Sequence, residues 1–209
     1  GVTRIGDYAF YGCSGLTSVV IGDGVTSIGN SAFDGCDSLM SVTIGSGVTR
    51  IGNYAFRKCT SLTSVNIGNN VKSIGVDAFS GCTSLSSVYI TDIAKWCEIY
   101  FGGDNTDLYP YLANPLFYAN NLYLNGVLVT ELVIPSGVES ISDYAFKDCV
   151  NLKSITIGSS VTSIGSYAFA STGITSLPLP TSTKTIKSYA FSGCSSVSTL
   201  DLNQVQKIE

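Results

Sequence analysis

Histidine is absent from the 209 residues, and charged residues make up only 12% of them. The lack of histidine excludes His-based acid–base catalysis, activation of a Ser or Cys nucleophile by His, and His-ligated metal sites. Lys and Arg number 11 against 15 Asp and Glu, and the resulting net charge of −4 excludes a basic binder of nucleic acid. Hydrophobic residues make up 44%, which indicates a folded chain. No catalytic motif is present, so we do not expect an enzyme.

Long apolar runs are missing as well. No stretch approaches the roughly 18 residues of a membrane span, and no charged-then-apolar leader begins the chain. The repeat described below is already under way at Val2 and Ile5, and it starts again at Val205 and Ile208. We therefore expect a fragment of a longer chain, without a membrane span in this part.

A repeat of about 23 residues dominates what is present. An Ala-Phe pair recurs on both sides of one interruption, with Phe at positions 10, 33, 56, 79, 146, 169 and 191. Around each pair lies the pattern V-x-x-I-G-x-x-A-F-x-x-C-x-x-L-x-x-V-x-I-G. A unit of this length cannot bury its apolar residues alone and must stack on its neighbours, which is typical of a solenoid.

Two periodicities alternate within each unit. Val-x-Ile pairs such as Val42 and Ile44 alternate with polar residues, which predicts strands of one parallel sheet with one face buried. The Phe-x-x-Cys-x-x-Leu segment has a roughly helical spacing and predicts a short 3-10 or helical turn on the opposite side. A Gly two positions after the Phe suits a left-handed exit from that turn. Residues that can cap a helix stand three positions before the Phe: Asp7, Asn30, Asn53, Asp143, Ser166 and Ser188.

The ladder L-x-x-V-x-I, as in residues 62–67, matches the first half of a leucine-rich repeat. The phrases "SIGNSAFDGCDSLMSVTIGSGV" and "RIGNYAFRKCTSLTSVNIGNNV" resemble the 23-residue repeats of the BspA-like family of bacterial cell-surface leucine-rich-repeat proteins. The resemblance covers everything outside residues 91–134. It implies an α/β-type solenoid, curved and displayed on a bacterial surface, and it carries over no catalytic residue. We expect a single solenoid over 1–209, with regular repeats at 1–90 and 135–209.

The repeat breaks at residues 91–134, which hold 8 of the 22 aromatic residues. "DIAKWCEIYF" predicts a short helix with Asp92 as its N-cap and Tyr100 on its apolar face. "NLYLNGVLVTELVIP" predicts a hairpin that turns at Asn125-Gly126, before the chain rejoins the sheet at Leu132–Ile134. We expect this insertion to pack within the array.

Two interpretations of these aromatic residues stay open. In the first, they replace the missing Phe and Leu residues and fill the core of the interrupted coils. In the second, they form a recognition surface, since part-exposed Tyr and Trp contact proteins and sugars well. Tyr89 supports the second, because it is the only aromatic residue among the outward-facing middle positions of the Val-x-Ile strands. The candidate ligand-binding residues are Asn66, Tyr89, Trp96, Tyr109, Tyr111 and Tyr118.

Seven cysteines occur, and six of them occupy one position of the repeat. Stacked side chains point the same way, which suits a disulfide poorly, so we expect reduced thiols buried as small apolar groups. The absence of His and of a Cys-x-x-Cys pair disfavours zinc. Asp104 and Asp107 lack the spacing of a calcium loop. We expect neither a metal nor a cofactor.

A non-enzymatic extracellular binding or adhesion module is the function that the resemblance implies. It would contact host or microbial surface proteins or glycans through the concave sheet, where stacked Ser residues make a weakly charged face, and through the aromatic insertion. The alternative is a passive structural spacer that displays another domain. We expect a monomer, at a bacterial cell surface or secreted, with no nucleic-acid partner.

Overall fold

The computed structural model describes residues 1–102 and 110–208, in which the chain winds in successive coils. The first strands are β1 (Arg4–Ile5), β2 (Ser18–Ile21), β3 (Ser27–Ile28), β4 (Ser41–Ile44), β5 (Arg50–Ile51), β6 (Ser64–Asn66), β7 (Ser73–Ile74) and β8 (Ser87–Ile90). Then follow α1 (Ile93–Cys97), β9 (Tyr100–Phe101), a 3-10 turn (Pro110–Ala113), α2 (Leu116–Ala119), β10 (Leu122–Leu124) and β11 (Val127–Leu128). The last strands are β12 (Glu131–Ile134), β13 (Ser140–Ile141), β14 (Ser154–Ile157), β15 (Ser163–Ile164), β16 (Thr185–Ile186) and β17 (Lys207–Ile208).

The longer strands form a parallel sheet, called the main sheet below, in the order β10-β8-β6-β4-β2. Val42 pairs with Val65, and Val65 pairs with Val88, so equivalent residues of neighbouring coils lie side by side. These valines are fully buried. In each strand the next residue faces outward, and these residues form one row, called the outward column below: Val20, Thr43, Asn66, Tyr89 and Tyr123. The predicted strands with one buried face are confirmed in these coils.

A second sheet, ordered β1-β3-β5-β7-β9, forms another wall of the same coils. Each of its strands has only two residues, which is too few for the alternation of buried and exposed residues to be recognised in the sequence. Ile28 pairs with Ile51, and Ile51 pairs with Ile74, and all three side chains are buried. The sheet β13-β15-β16-β17 repeats this arrangement after the insertion.

The Phe-x-x-Cys side of the regular coils, called the turn side below, consists of successive single turns in place of a continuous short helix. The amide of Cys36 donates to the carbonyl of Phe33 at 3.2 Å, as in a 3-10 turn. The amide of Phe33 instead donates to Ala55 of the next coil at 2.8 Å. Ser31 (φ 50°) and Gly35 (φ 74°) have left-handed backbone conformations, so a right-handed helix does not propagate through this segment. The predicted left-handed Gly after the Phe is confirmed.

The Asp and Asn side chains three positions before the Phe link coils and do not cap helices. Asp7 Oδ1 accepts from the Asn30 amide at 2.8 Å, and Asn30 Oδ1 accepts from the Asn53 amide at 2.9 Å. After the insertion, Asp143 Oδ1 accepts from the Ser166 amide at 2.8 Å. The interpretation as helix caps is therefore corrected, because the short side chains that suit a cap also reach an amide of the adjacent coil.

Phe rings stack along the core, and the Phe33 and Phe56 centroids are 5.2 Å apart with planes 3° from parallel. All seven cysteines are free thiols, but the expected burial fails for Cys13, which is exposed, and is partial for Cys194; the five buried thiols are Cys36, Cys59, Cys82, Cys97 and Cys149. The Cys59 thiol donates to the Phe33 carbonyl at 3.2 Å. Repetition therefore places identical groups in contact from coil to coil, both in the apolar core and in its hydrogen bonds.

The insertion continues the main sheet through β10 and not through β12. Leu122 pairs with Val88, so this coil has 34 residues, the difference between positions 122 and 88. β11 pairs antiparallel with β10 at the edge of the main sheet, and β12 pairs with β14 in a separate two-stranded sheet. The expectation that the chain rejoins the main sheet at Leu132–Ile134 is wrong. Residues 122–124 have the same alternation and occupy that edge first.

The helix and the hairpin predicted in the insertion are both present. Asp92 Oδ1 accepts from the Lys95 amide at 3.1 Å and caps α1. α1 ends at Cys97, so Tyr100 lies in β9 and not on a helix face. Asn125 (φ 50°) and Gly126 (φ 81°) are both left-handed, as a two-residue hairpin turn requires. The described α-helices, of five and four residues, do not reach the length that a membrane-spanning helix needs.

Candidate functional site

Two of the predicted site residues, Asn66 and Tyr89, lie side by side on the main sheet. Tyr123 of β10 stands on the other side of Tyr89, and the two ring centroids are 4.8 Å apart with planes 25° from parallel. Sequence reasoning missed Tyr123. The available signal was the alternation Leu-Tyr-Leu of β10, which repeats the Val-Tyr-Ile alternation of β8.

A groove of about 430 Å³ opens beside Asn66 and Tyr89. Its other polar walls come from the corners that follow the strands and from the hairpin turn: Ser46, Asn69, Thr91 and Asn125. The corners stack in register because the strands before them do, so residues 23 positions apart line one wall together. The hairpin of the insertion closes the groove at one end.

The polar groups of the groove differ in how far they are already hydrogen-bonded. The Thr91 hydroxyl donates to Asn69 Oδ1 at 2.5 Å. The Ser46 amide and hydroxyl donate to Asp23 Oδ1 at 2.7 and 2.9 Å, and these bonds lower the pKa of Asp23. Among the described residues, the carboxamides of Asn66 and Asn125 have no partner. Both side chains are exposed and available to a ligand.

Tyr111 lies in a different cluster, on the turn side of the molecule. Its ring centroid is 5.2 Å from that of Phe117. Lys147 Nζ lies 5.3 Å from the Tyr111 centroid and 5.6 Å from the Phe117 centroid, and it pairs with Asp148 at 2.6 Å. These rings already contact a cation of the same chain, so the cluster serves to hold the insertion on the following coil.

Tyr118 and Trp96 have packing roles. The Tyr118 hydroxyl accepts from the Gly81 amide at 2.9 Å and fixes α2 against the preceding coil. Trp96 is 1% exposed, and its Nε1 donates to the Ala145 carbonyl at 2.8 Å. The prediction of Trp96 as a ligand contact is therefore corrected, because its ring fills the core as the first interpretation expected. Tyr109 lies outside the described residues and stays a prediction.

A second row of stacked tyrosines lies on the turn side, one position before the Ala-Phe pairs. Tyr144 and Tyr167 have centroids 5.4 Å apart, and Tyr167 and Tyr189 have centroids 4.7 Å apart. Burial and then Asp143 raise the pKa of Tyr144. Sequence reasoning did not single out this row, although its members share one repeat position. It offers a matched comparison for the Tyr89–Tyr123 pair.

The described groups with perturbed pKa values are not poised for chemistry. Burial raises the pKa of Cys36 to about 11 and raises the pKa of Cys97 and Cys149 as well. These thiols stay protonated at neutral pH and are poor nucleophiles. The described residues contain no group of three or more His, Cys, Asp or Glu side chains that could hold a metal ion. What the groove offers is noncovalent contact through a ring, carboxamides and hydroxyls.

Two further cavities, of about 740 and 350 Å³, open on core residues of the first and last coils. Their linings are mostly the apolar residues of the repeat, such as Phe10 and Phe191. None of the described candidate residues borders them, so the groove beside Tyr89 remains the candidate site.

A family model described as "BspA type Leucine rich repeat region" matches residues 1–105 and 119–209, with six copies of the repeat. The two ranges are separated by part of the enlarged coil, where the chain departs from the 23-residue pattern. Among curated proteins, none matches the chain.

Three solved bacterial structures resemble this one. A leucine-rich repeat protein from Bacteroides ovatus is 28% identical with a TM-score of 0.56, over 90% of this chain and 46% of its own. The pneumococcal vaccine antigen PcpA is 24% identical with a TM-score of 0.52, over 92% of this chain and 46% of its own. A leucine rich cell surface protein from Faecalibacterium prausnitzii is 32% identical with a TM-score of 0.46, over 95% of this chain and 42% of its own. The chain spans less than half the length of each.

Proposed function

Because the chain belongs to the BspA-type leucine-rich-repeat family, we propose that it is a non-enzymatic binding module of a bacterial cell-surface protein. The module holds its partner on the outward face of the main sheet, at the groove beside Tyr89. Its partners are proteins or glycans of host or microbial surfaces. An extracellular location, at the cell surface or after secretion, is part of the same proposal and rests on the family resemblance.

The observation that carries this proposal is the change of side chain along the outward column. Val20 and Thr43 are small, and the column becomes aromatic at Tyr89 and Tyr123, where the groove opens. Half-buried aromatic rings beside exposed carboxamides combine apolar area with directional hydrogen bonds, as binding surfaces do. A scaffold whose only task is to hold its coils together has no need of this combination on an outward face.

A binding panel with matched variants tests the proposal. The full chain is applied to immobilised extracellular-matrix proteins and to a glycan array, together with the double variant Tyr89→Ala/Tyr123→Ala and the control Tyr167→Ala. We expect the parent to be retained, the control to behave like the parent, and the double variant to bind at least about tenfold more weakly. The control removes a similarly stacked ring on the turn side, so it corrects for loss of packing.

If the double variant Tyr89→Ala/Tyr123→Ala is retained as well as the control Tyr167→Ala, the contact lies elsewhere and the proposed surface is rejected. If no ligand of either class retains the parent, the passive spacer becomes the better account.

A further inference from the structure

We infer that the groove beside Tyr89 is a binding site for one ring of a neutral carbohydrate. This inference rests on the proposed function and specifies the ligand class for the same surface. Four properties of the groove carry it, namely a ring face, a set of carboxamides, the lack of charge and a floor of buried isoleucines.

The ring face comes from a step in the outward column. Tyr123 stacks against one side of Tyr89 at 4.8 Å, and Asn66, with a much shorter side chain, is the neighbour of Tyr89 on the other side. Tyr123 stacks on one side of Tyr89. A ligand ring that stacked in the same way on the other side would lie over Asn66, one coil spacing from Tyr89. The face of an aromatic ring is electron-rich and attracts the polarised C–H groups that a pyranose presents on its apolar face.

The carboxamides supply the polar contacts that a sugar needs. Asn66 and Asn125 each offer two N–H donors and one acceptor oxygen, without a partner among the described residues. Neighbouring sugar hydroxyls both donate and accept, so they match a carboxamide better than they match a group that only donates. Thr91 and Asn69 are already paired with each other, which orders this wall before a ligand arrives.

The charge of the groove selects a neutral ligand. Among the residues that the structure describes, its lining contains no Asp, Glu, Lys or Arg. The Oδ1 atom of Asp23 accepts from the amide and hydroxyl of Ser46, so an anion also lies beside this wall of the groove. An anionic glycan would lose hydration here without gaining a cation, which disfavours its binding.

The floor of the groove argues for a sugar over a protein. Ile44, Ile67 and Ile90 lie beneath it, but each is at most 5% exposed. They offer no open apolar pocket into which a protein partner could insert an anchoring side chain. The accessible groups are the Tyr89 ring and polar side chains, which suit a hydroxylated ring.

The test begins with the full chain on an array of neutral glycans, ending in hexose or N-acetylhexosamine, and anionic glycans, sialylated or sulfated. We expect retention on neutral glycans alone. The best-bound neutral oligosaccharide is then titrated by calorimetry into the parent and into variants whose thermal unfolding shows that they are folded.

Tyr89→Ala and Asn66→Ala are each expected to weaken binding by about tenfold, through loss of the stacking face and of the carboxamide. Tyr89→Phe keeps the ring and is expected to bind within about twofold of the parent. Tyr167→Ala and Thr156→Ala, the latter at the equivalent outward position of β14, are expected to bind as the parent does.

Binding confined to anionic glycans overturns the inference, as does neutral-glycan binding that neither Tyr89→Ala nor Asn66→Ala weakens. If the parent retains no neutral glycan but retains a protein ligand even after the glycans of that ligand are removed, the inference is overturned. The proposed function then still stands. Retention of nothing rejects both.

Discussion

The regular coils and the insertion satisfy the same backbone group in different ways. Where one regular coil follows another, the carbonyl of the Ala before the Phe accepts from the Phe amide of the preceding coil, as in Phe33 to Ala55 at 2.8 Å. The coil of Ala145 follows the insertion, which has no such Phe. There the indole Nε1 of Trp96 donates to the Ala145 carbonyl, also at 2.8 Å. A side chain thus replaces a main-chain donor.

Asn114 extends this replacement. It is 1% exposed, its Nδ2 donates to the Tyr144 carbonyl at 2.8 Å, and its Oδ1 accepts from the Leu116 amide at 2.9 Å. Within the regular array, register alone brings the amide of one coil to the carbonyl of the next. An insertion has no such register, so individual side chains must make the bonds. We therefore expect single side chains to matter most where the repeat is broken.

Trp96→Ala is the largest test of this difference. We expect the free energy of unfolding to fall by about 3–5 kcal/mol, because the change leaves a cavity and removes the donor to Ala145. Since coils contact only their neighbours, unfolding in urea is also expected to split into two transitions. Circular dichroism measures both the free energy and the number of transitions. Fluorescence is unsuitable, because Trp96 is the only tryptophan and the substitution removes it.

Trp96→Phe separates the two effects in that prediction. It keeps most of the bulk and loses the Nε1 donor, so we expect a smaller loss of about 1–3 kcal/mol. A single transition for Trp96→Ala at the parental midpoint would show that the indole does not couple the two parts.

Asn114→Ala is expected to lower the unfolding free energy by about 1–3 kcal/mol, because the Tyr144 carbonyl and the Leu116 amide each lose a buried partner. Urea denaturation measures the loss. Asn70→Ala is the matched control in a regular coil: its exposed carboxamide donates to the Ser46 carbonyl at 2.7 Å, and we expect a change within about 0.5 kcal/mol. Equal losses in the two variants would remove the contrast between the insertion and the regular coils.

Sequence reasoning reached the features that depend on local period. The strands of the main sheet follow from buried alternation, and the N-cap at Asp92 and the turn at Asn125-Gly126 follow from the backbone preferences of those residues. The Tyr89 and Asn66 pair could be placed side by side because register in a repeat is fixed by the spacing of 23 residues.

What sequence reasoning missed depends on partners far away in the chain. Residues 122–124 and 132–134 have the same alternation, and only the packing of the enlarged coil decides which of them pairs with β8. The repeated Asp and Asn residues resemble helix caps in the sequence, because in both cases a short side chain supplies an oxygen that accepts from a backbone amide. Here the donating amide lies in another coil. The bonds from Asn114 Nδ2 to the following coil have no local signal, since the carbonyls of Tyr144 and Ala145 lie about 30 residues further along the chain.

Asn53→Ala tests the ladder of the regular coils, where we expect a smaller effect. Asn53 Oδ1 accepts from the Val76 amide at 3.0 Å in a part-buried position, so its loss is expected to cost about 1 kcal/mol. Hydrogen exchange of the Val76 amide is expected to accelerate. Asn53→Asp retains the acceptor, as Asp7 and Asp143 do at their positions, and is expected to restore most of the protection. Unchanged exchange in Asn53→Ala would mean that the ladder bond is not needed.

Cys36→Ala gives the smallest expected effect, a change in the pH dependence of stability. Burial raises the pKa of Cys36 from 9.0 to about 11, so above pH 9 the unfolded chain releases a proton that the folded chain retains. The contribution of this thiol is therefore fully present below pH 9 and declines as the pH rises towards 11. We expect urea denaturation at pH 8 and pH 10 to show a shallower decline for Cys36→Ala than for the parent. A decline for Cys36→Ala as steep as that of the parent would contradict the assignment to this thiol.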